Sequence, residues 1–315
     1  SSRMPCTPFC ISARRSSSCF RRQSLSLCLP CANGKGKSVK KLIADGRTTL
    51  KDLIDNNYAQ GSFAFSRLLR DRDIRVNGEK AGKNVLLETG DEVAVYTTPK
   101  EEARAFYDIV FEDENVLAAD KYAGVNSEAL FCALRERCGA RFIHRLDRNT
   151  CGVMIFAKNE EAEKELLLAF RERRAKKIYE AVCFHAFQKR ADVLTAYLKK
   201  DAAAAKVKIF AEPQKGAEKI VTEYFDAESF GEFSRVKVRL HSGKTHQIRA
   251  HLAFVGHPVA GDEKYGDETL NKKYKLRRHI LVAKRLSFTF TGALSYLNGK
   301  EFVSAFSAEY PDVRE

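Results

Sequence analysis

The chain has 315 residues, 44% of them apolar, which allows two domains and at least one sizeable core. Its formal net charge is +14, which invites a nucleic-acid or membrane-surface partner. No stretch approaches the ~18 consecutive apolar residues of a membrane-spanning helix, so no membrane partner is expected.

The charge is unevenly spread. Residues 1–41 hold nine Lys or Arg and no acid, which leaves 46 basic against 41 acidic residues for the rest. The body of the chain is therefore only mildly basic. Five of the nine cysteines (Cys6, Cys10, Cys19, Cys28, Cys31) crowd the first 31 residues. The other four, Cys132, Cys138, Cys151 and Cys183, lack the spacing of a disulfide framework, which suits a reducing, cytoplasmic setting. Cys28 and Cys31 have the spacing of half a zinc site, but no second Cys or His pair follows, and no metal is expected.

Residues 1–40 are expected to be disordered and functionally silent. They are Ser-, Arg- and Cys-rich without apolar periodicity, as in an organelle transit peptide. The preferred reading is that they are not native coding sequence, because ordinary composition begins near Val39, where a valine start codon would set the boundary. Only a genuine transit peptide would make the chain organellar.

Residues 45–97 read as a small α/β unit. Leu50, Leu53, Ile54 and Tyr58 have helical spacing, and "SFAFSRLLRDRD" makes a second helix. "IRVNGEKA" is a strand with an Asn77-Gly78 hairpin turn, and "LLETGDEVAVY" supplies a Gly90-Asp91 turn and an alternating strand. Arg67, Arg70, Arg72 and Arg75 cluster at the second helix and its turn, as an ordinary solvated face or as a phosphate-contacting patch. The order of these pieces resembles the S4 domain, a small RNA-binding module, which implies the second reading. Residues 98–106, with Pro99 and mixed charges, read as a linker.

Residues 107–315 mix strands and helices without a regular strand-helix rhythm, internal repeat or glycine-rich phosphate loop, which argues against a doubly wound sheet. "NEEAEKELLLAFRERRAKK" reads as a helix capped by Asn159, with Arg171, Arg173, Arg174, Lys176 and Lys177 in a basic last turn that complements its dipole or contacts RNA.

"HRLDRNTCGVMIFAK" starts at His144 and sets Asp147 between Arg145 and Arg148, just before an apolar run. It resembles the central motif of the RluA-type pseudouridine synthases, with Cys151 where the family usually has Ser and Asn149 at a position that is commonly Asp. "KKIYEAV", "VKVRLHSGKTHQIRAHLAFVGHPVAGDEKYG" and "HILVAKRLSF" resemble further family segments in the same order. The resemblance implies an α+β fold, a mixed and largely antiparallel sheet with flanking helices and a central cleft. It also implies a reaction that needs neither cofactor nor metal: uridine is detached at C1′–N1 and rejoined at C1′–C5.

By that resemblance Asp147 is the catalytic carboxylate, acting by nucleophilic attack or by deprotonating the sugar. Arg249 is its partner, and Tyr179 stacks on the flipped uracil and takes the C5 proton. A carboxylate in a closed pocket tends to protonate, and a nearby guanidinium opposes that. In "THQIRAHLAFV", Ile248, Leu252 and Val255 form an apolar helix face that Arg249 flanks, so its stem packs while its head reaches the cleft. Arg145, His144, Lys177, Thr245, His246 and Gln247 are the implied substrate-binding residues.

His241, His246, His251 and His257 lie within 17 residues, but with irregular spacing and no acid among them they read as hydrogen-bonding groups. Cys151 has no dedicated base and does not read as a nucleophile. After Tyr179, "AVCFHAF" departs from the family's small-residue ending, and "FTFTGALSYLNGK" from its C-terminal pattern, which bears on substrate and not on reaction. The expected partner is RNA, large-subunit ribosomal RNA ahead of transfer RNA, bound by a monomer. A non-catalytic S4-type binder has no need of Asp147, Tyr179 and Arg249 together, and a glycosidase needs a second carboxylate.

Overall fold

The computed structural model describes residues 37–58, 61–102, 105–201 and 204–311. What was expected of residues 1–36 lies outside the described residues.

The N-terminal unit consists of β1 (Ser38–Ile43), β2 (Thr48–Thr49), α1 (Leu50–Asn57), α2 (Gly61–Arg70), β3 (Ile74–Val76), β4 (Glu79–Lys80), β5 (Leu86–Leu87) and β6 (Glu92–Thr97). Its four-stranded sheet runs β1-β6-β3-β4, antiparallel throughout. The Thr49 side chain caps α1 by accepting from Asp52 N–H, and Leu50 and Ile54 then bury against Leu68, Ile74, Val93 and Val95. Asn77 (φ 50) and Gly78 (φ 86) both adopt positive φ, as a two-residue hairpin turn requires.

One boundary is corrected. Residues 38–40, expected to be disordered with the rest of 1–40, begin β1, which pairs with β6 over six positions from Ser38↔Thr97 to Ile43↔Glu92. Only Leu42 of β1 is buried, so "SVKKLI" shows little alternation, and cross-strand pairing makes it a strand. Residues 98–106, expected to be a linker, include one turn of helix, α3 (Pro99–Glu102), whose Glu101 reaches back to Arg67 at 2.5 Å.

The larger unit follows as β7 (Tyr107–Glu112), β8 (Val116–Lys121), α4 (Ser127–Cys138), β9 (Arg141–Phe142), β10 (Cys151–Ala157), α5 (Glu160–Arg171), β11 (Ala175–Phe184), β12 (Asp192–Asp201), β13 (Lys206–Phe210), β14 (Glu218–Phe230), β15 (Phe233–Leu240), α6 (Gln247–Phe254), α7 (Glu268–Lys273), β16 (Leu281–Phe288) and β17 (Glu301–Val303). Its sheet runs β13-β12-β14-β15-β11-β16-β10-β8-β7, with β17 beside β16 and β9 beside β10. β10 and β16 are parallel, and the other pairs are antiparallel. The sheet is therefore mixed and largely antiparallel.

"VMIFA" is apolar throughout because β10 is covered on both faces. Val153 and Ile155 face Ala162, Leu166 and Ala169 of α5, whereas Met154 and Phe156 face Leu130 and Leu134 of α4. Gly152 (φ 117) opens this strand so close to β16 that a Cβ would lie 2.4 Å from the Ala283 carbonyl oxygen. The loop 143–150 is thereby delivered to the point where β10 meets β16. α5 ends at Arg171, and Arg173 turns the chain at φ 59. Lys176 and Lys177, expected in the helix's last turn, instead lie in β11. Among the described residues no helix is long and apolar enough to cross a membrane.

Candidate active site

The loop before β10 is fixed at nearly every residue. Ser127, at the start of α4, donates through its hydroxyl to Leu146 O (2.8 Å) and accepts from Leu146 N–H (2.9 Å). Lys121 ends β8 fully buried and donates to Val125 O (2.8 Å), Tyr122 O (3.2 Å) and Arg148 O (3.2 Å). Burial lowers its pKa to about 8, and the three carbonyls solvate its ammonium. The Thr150 hydroxyl meets His279 at 2.9 Å, and Thr150 N–H closes a turn onto Asp147 O. His144 accepts Ile155 N–H through Nε2 (3.1 Å) and stacks on Phe170; burial pulls its pKa down to about 3, so it is neutral.

Held this way, the Asp147 side chain stays about one-quarter exposed, facing α6. Arg249 Nη1 donates to Asp147 Oδ2 at 2.7 Å. The same guanidinium donates through Nε and Nη2 to Asp262, at 2.6 and 2.8 Å, in a bidentate pair whose carboxylate is fully buried. Burial works against the Arg249 charge, but Asp262 and then Asp147 more than compensate, so the guanidinium stays charged. Burial likewise pushes the Asp262 carboxyl up, and Arg249 overrides it to leave a net depression. Asp262 also accepts from the N–H groups of Lys264 and Tyr265. Asp147 is thus the outer of two carboxylates on one arginine, the inner one structural and the outer one open to the cleft.

His246 precedes α6 in the left-handed region (φ 53) and brings Nε2 to 3.8 Å from Asp147 Oδ1, while its Nδ1 meets the Tyr265 hydroxyl at 2.8 Å. Burial lowers its pKa despite the attraction of Asp147, and the imidazole is neutral at pH 7. Tyr179 on β11 forms another wall. Burial, and then the charge of Asp147, push its phenol well above its ordinary value. A phenol so held is protonated at neutral pH and presents both a ring face and a hydroxyl to the cleft. Lys177 is lowered by burial and then by Arg173, and it lies 3.0 Å from where a side chain on Gly243 would begin.

His144, Arg145, Asp147, Lys177, Tyr179, Thr245, His246, Gln247 and Arg249 all line one cleft of about 370 Å³. The residues predicted from sequence as catalytic and substrate-binding are therefore brought together. Gln247 accepts from the Ser242 hydroxyl and Lys244 N–H, and donates to Val221 O and Thr222 Oγ1. Its amide makes four hydrogen bonds that hold the start of α6. Arg145 is exposed at the cleft mouth, paired with Glu128 at 3.0 Å.

Of the four arginines of the N-terminal unit, Arg67 and Arg70 line a neighbouring groove of about 630 Å³ that also reaches Asp147 and Arg249. Arg72 folds against Gly82, and Arg75 lies over the Tyr96 ring at 5.3 Å; neither lines the two clefts. The four clustered histidines go separate ways: His241 to Glu223, His246 to Tyr265, His251 to Thr222, and His257 onto the Phe187 ring. Burial lifts the Cys151 thiol to about 11, so it carries little thiolate at neutral pH.

Lys121, Ser127 and His279 were not singled out by sequence reasoning. Asp262 lay within a matched segment, but nothing local marks it as a partner for Arg249. The others act through backbone or hydroxyl contacts made only after folding.

The model of the RNA pseudouridylate synthase family matches residues 121–254. An uncharacterized RNA pseudouridine synthase of Aquifex aeolicus is 30% identical over 265 residues, covering 71% of this chain and 80% of that protein. Ribosomal large subunit pseudouridine synthase C of Escherichia coli is 31% identical over 255 residues, covering 72% and 80%. Among solved structures, human RNA pseudouridylate synthase domain containing 1 superposes with a TM-score of 0.52 at 27% identity, over 58% of this chain and 79% of that one.

Proposed function

The chain belongs to the RNA pseudouridine synthase family and is an RNA isomerase, and from that premise we propose that it modifies large-subunit ribosomal RNA with Asp147 as its catalytic carboxylate. The observation that carries this assignment is the paired arrangement at Arg249. One carboxylate, Asp262, neutralises the guanidinium in the core, and the second, Asp147, is presented to the cleft.

The reaction needs a flipped uridine with C1′ near the carboxylate. Asp147 assists departure of the base from C1′, by attack or by taking a sugar proton. The uracil turns so that C5 faces C1′, the new bond forms, and the C5 proton passes to solvent by way of the Tyr179 hydroxyl while N1 takes a proton back from water. Arg249 keeps the carboxylate charged and aimed. Tyr179 supplies a face on which the base turns, and neutral His246 with Lys177 and Thr245 borders the space it occupies. Arg145, exposed at the mouth, is placed to fill the gap that the flipped base leaves.

Large-subunit ribosomal RNA is preferred to transfer RNA because several relatives at about 30% identity are named as ribosomal large subunit enzymes. The N-terminal unit reads as an S4-like module that adds RNA affinity through Arg67 and Arg70. The enzyme is proposed to act as a cytoplasmic monomer. Mapping pseudouridines in ribosomal and transfer RNA from cells with and without the protein tests the substrate. Sites lost only from transfer RNA would overturn the ribosomal reading.

A further inference from the structure

Arg148, the second arginine beside Asp147, plays no part in the chemistry above. It lines instead the adjoining groove, between α2 and the residues before β16, which Arg277 and Arg278 also line. Two guanidinium groups converge there on one residue. Arg148 Nε donates to Gly124 O at 3.1 Å, and Arg278 Nη1 lies 3.4 Å from where a side chain on Gly124 would begin. Gly124 is at φ +88, and its own N–H donates to Arg148 O, so the turn leaves room for both arginines and fixes one of them.

Bringing two like charges to one turn is unfavourable unless an anion sits between them. The other arginines of this groove have carboxylate partners (Arg67 with Glu101, Arg70 with Asp71, Arg145 with Glu128 and Arg249 with Asp147), and Lys264 donates to Ala205 O. Among the described residues Arg148, Arg277 and Arg278 have none. Glu263 lines the same groove and forms no ion pair with any of them.

We propose that Arg148 and Arg278 form a clamp for a backbone phosphate of the substrate RNA, next to the nucleotide held at Asp147. This rests on the reading of the chain as acting on RNA. A phosphodiester offers two non-bridging oxygens and one charge, which suits two guanidinium forks. The groove is lined by Asp147, His246 and Arg249 as well as by the clamp, so one strand can occupy both.

The test is the salt dependence of binding to large-subunit ribosomal RNA transcribed without modification. Arg278→Gln is expected to lower the slope of log K against log salt by about 0.7–0.9, and the double variant with Arg148→Gln by about twice that. Arg278→Lys, which keeps the charge, is expected to retain the slope and guards against misreading a folding defect. Arg75→Gln removes the same charge from a residue off the groove and is expected to leave the slope unmoved. An unchanged slope in Arg278→Gln, or an equal loss in Arg75→Gln, overturns the clamp. Tritium release from the same RNA by the unaltered enzyme tests the functional reading separately. A lost slope without release would keep the clamp and discard the ribosomal substrate.

Discussion

At the scale of single residues, the arrangement that matters most is one arginine shared by two carboxylates of different burial. Asp262 is wholly enclosed and its negative charge depends on Arg249, whereas Asp147 is partly open. Removing Arg249 therefore does more than disturb the active carboxylate. Arg249→Met is expected to lower the unfolding free energy by about 3–5 kcal/mol, because it strands the buried Asp262 charge. Asp262→Asn in the same chain should recover part of that loss, and Arg249→Lys should fall between, a point charge replacing the fork. Urea denaturation of the three variants checks this. An Arg249→Met chain as stable as the parent would mean that Asp262 is held by its backbone donors alone. Cys151 gives a second expectation at this scale. With its thiol lifted to about 11, alkylation at pH 7.5 should be slow, and activity should outlast full modification of an exposed model thiol.

At the scale of elements, β1 shows how a strand can escape a sequence reading. "SVKKLI" carries two adjacent lysines and buries only Leu42, so its pattern resembles an exposed loop. Its stability comes from the ladder with β6 and from Lys37, which reaches Asp73 at 2.5 Å. A chain starting at Lys37 is expected to keep the parent's melting temperature. One starting at Asp45 should lose several degrees, because the β6 edge is uncovered and Leu42 leaves the core. Equal melting temperatures would show that β1 adds nothing to the unit. Other elements were legible because their signals are local. Leu50, Leu53 and Ile54 mark α1, Asn77-Gly78 marks the hairpin, and Asn159 caps α5 by accepting from Ala162 N–H. Asp147 and Arg249 were legible through motif resemblance, although 102 positions separate them. Asp262 matched the same motif but its role was not legible, and Lys121 and His279 were not legible at all, because a buried ion pair or a carbonyl-capping lysine has no local pattern. The four bonds of the Gln247 amide are of the same kind, visible only in the packed structure.

At the scale of the whole molecule, acid stability follows from histidines kept neutral inside the fold. Burial lowers His251 and His279 to about 4 and His144 to about 3, against 6.5 when unfolded. Between pH 6.5 and 4 the unfolded chain therefore holds more protons, and stability falls as pH falls. His251 and His279 can each contribute at most about 3 kcal/mol to that loss. Asp120, raised by burial, works the other way but is one group against three. The urea midpoint should drop steadily from pH 7 to pH 4.5, and a flat profile would contradict the burial of these rings. The same burial builds the site, because His144 and His279 pin both ends of the loop that presents Asp147. The account as a whole stands on that carboxylate, and single-turnover release of tritium from 5-tritiated uridine in large-subunit ribosomal RNA tests it most directly. The unaltered enzyme should release tritium, and Asp147→Asn should release none while binding the RNA with nearly the same affinity, since Arg249 still pairs with Asp262. A variant rate within about tenfold of the parent, a barrier change of about 1.4 kcal/mol or less, would contradict it.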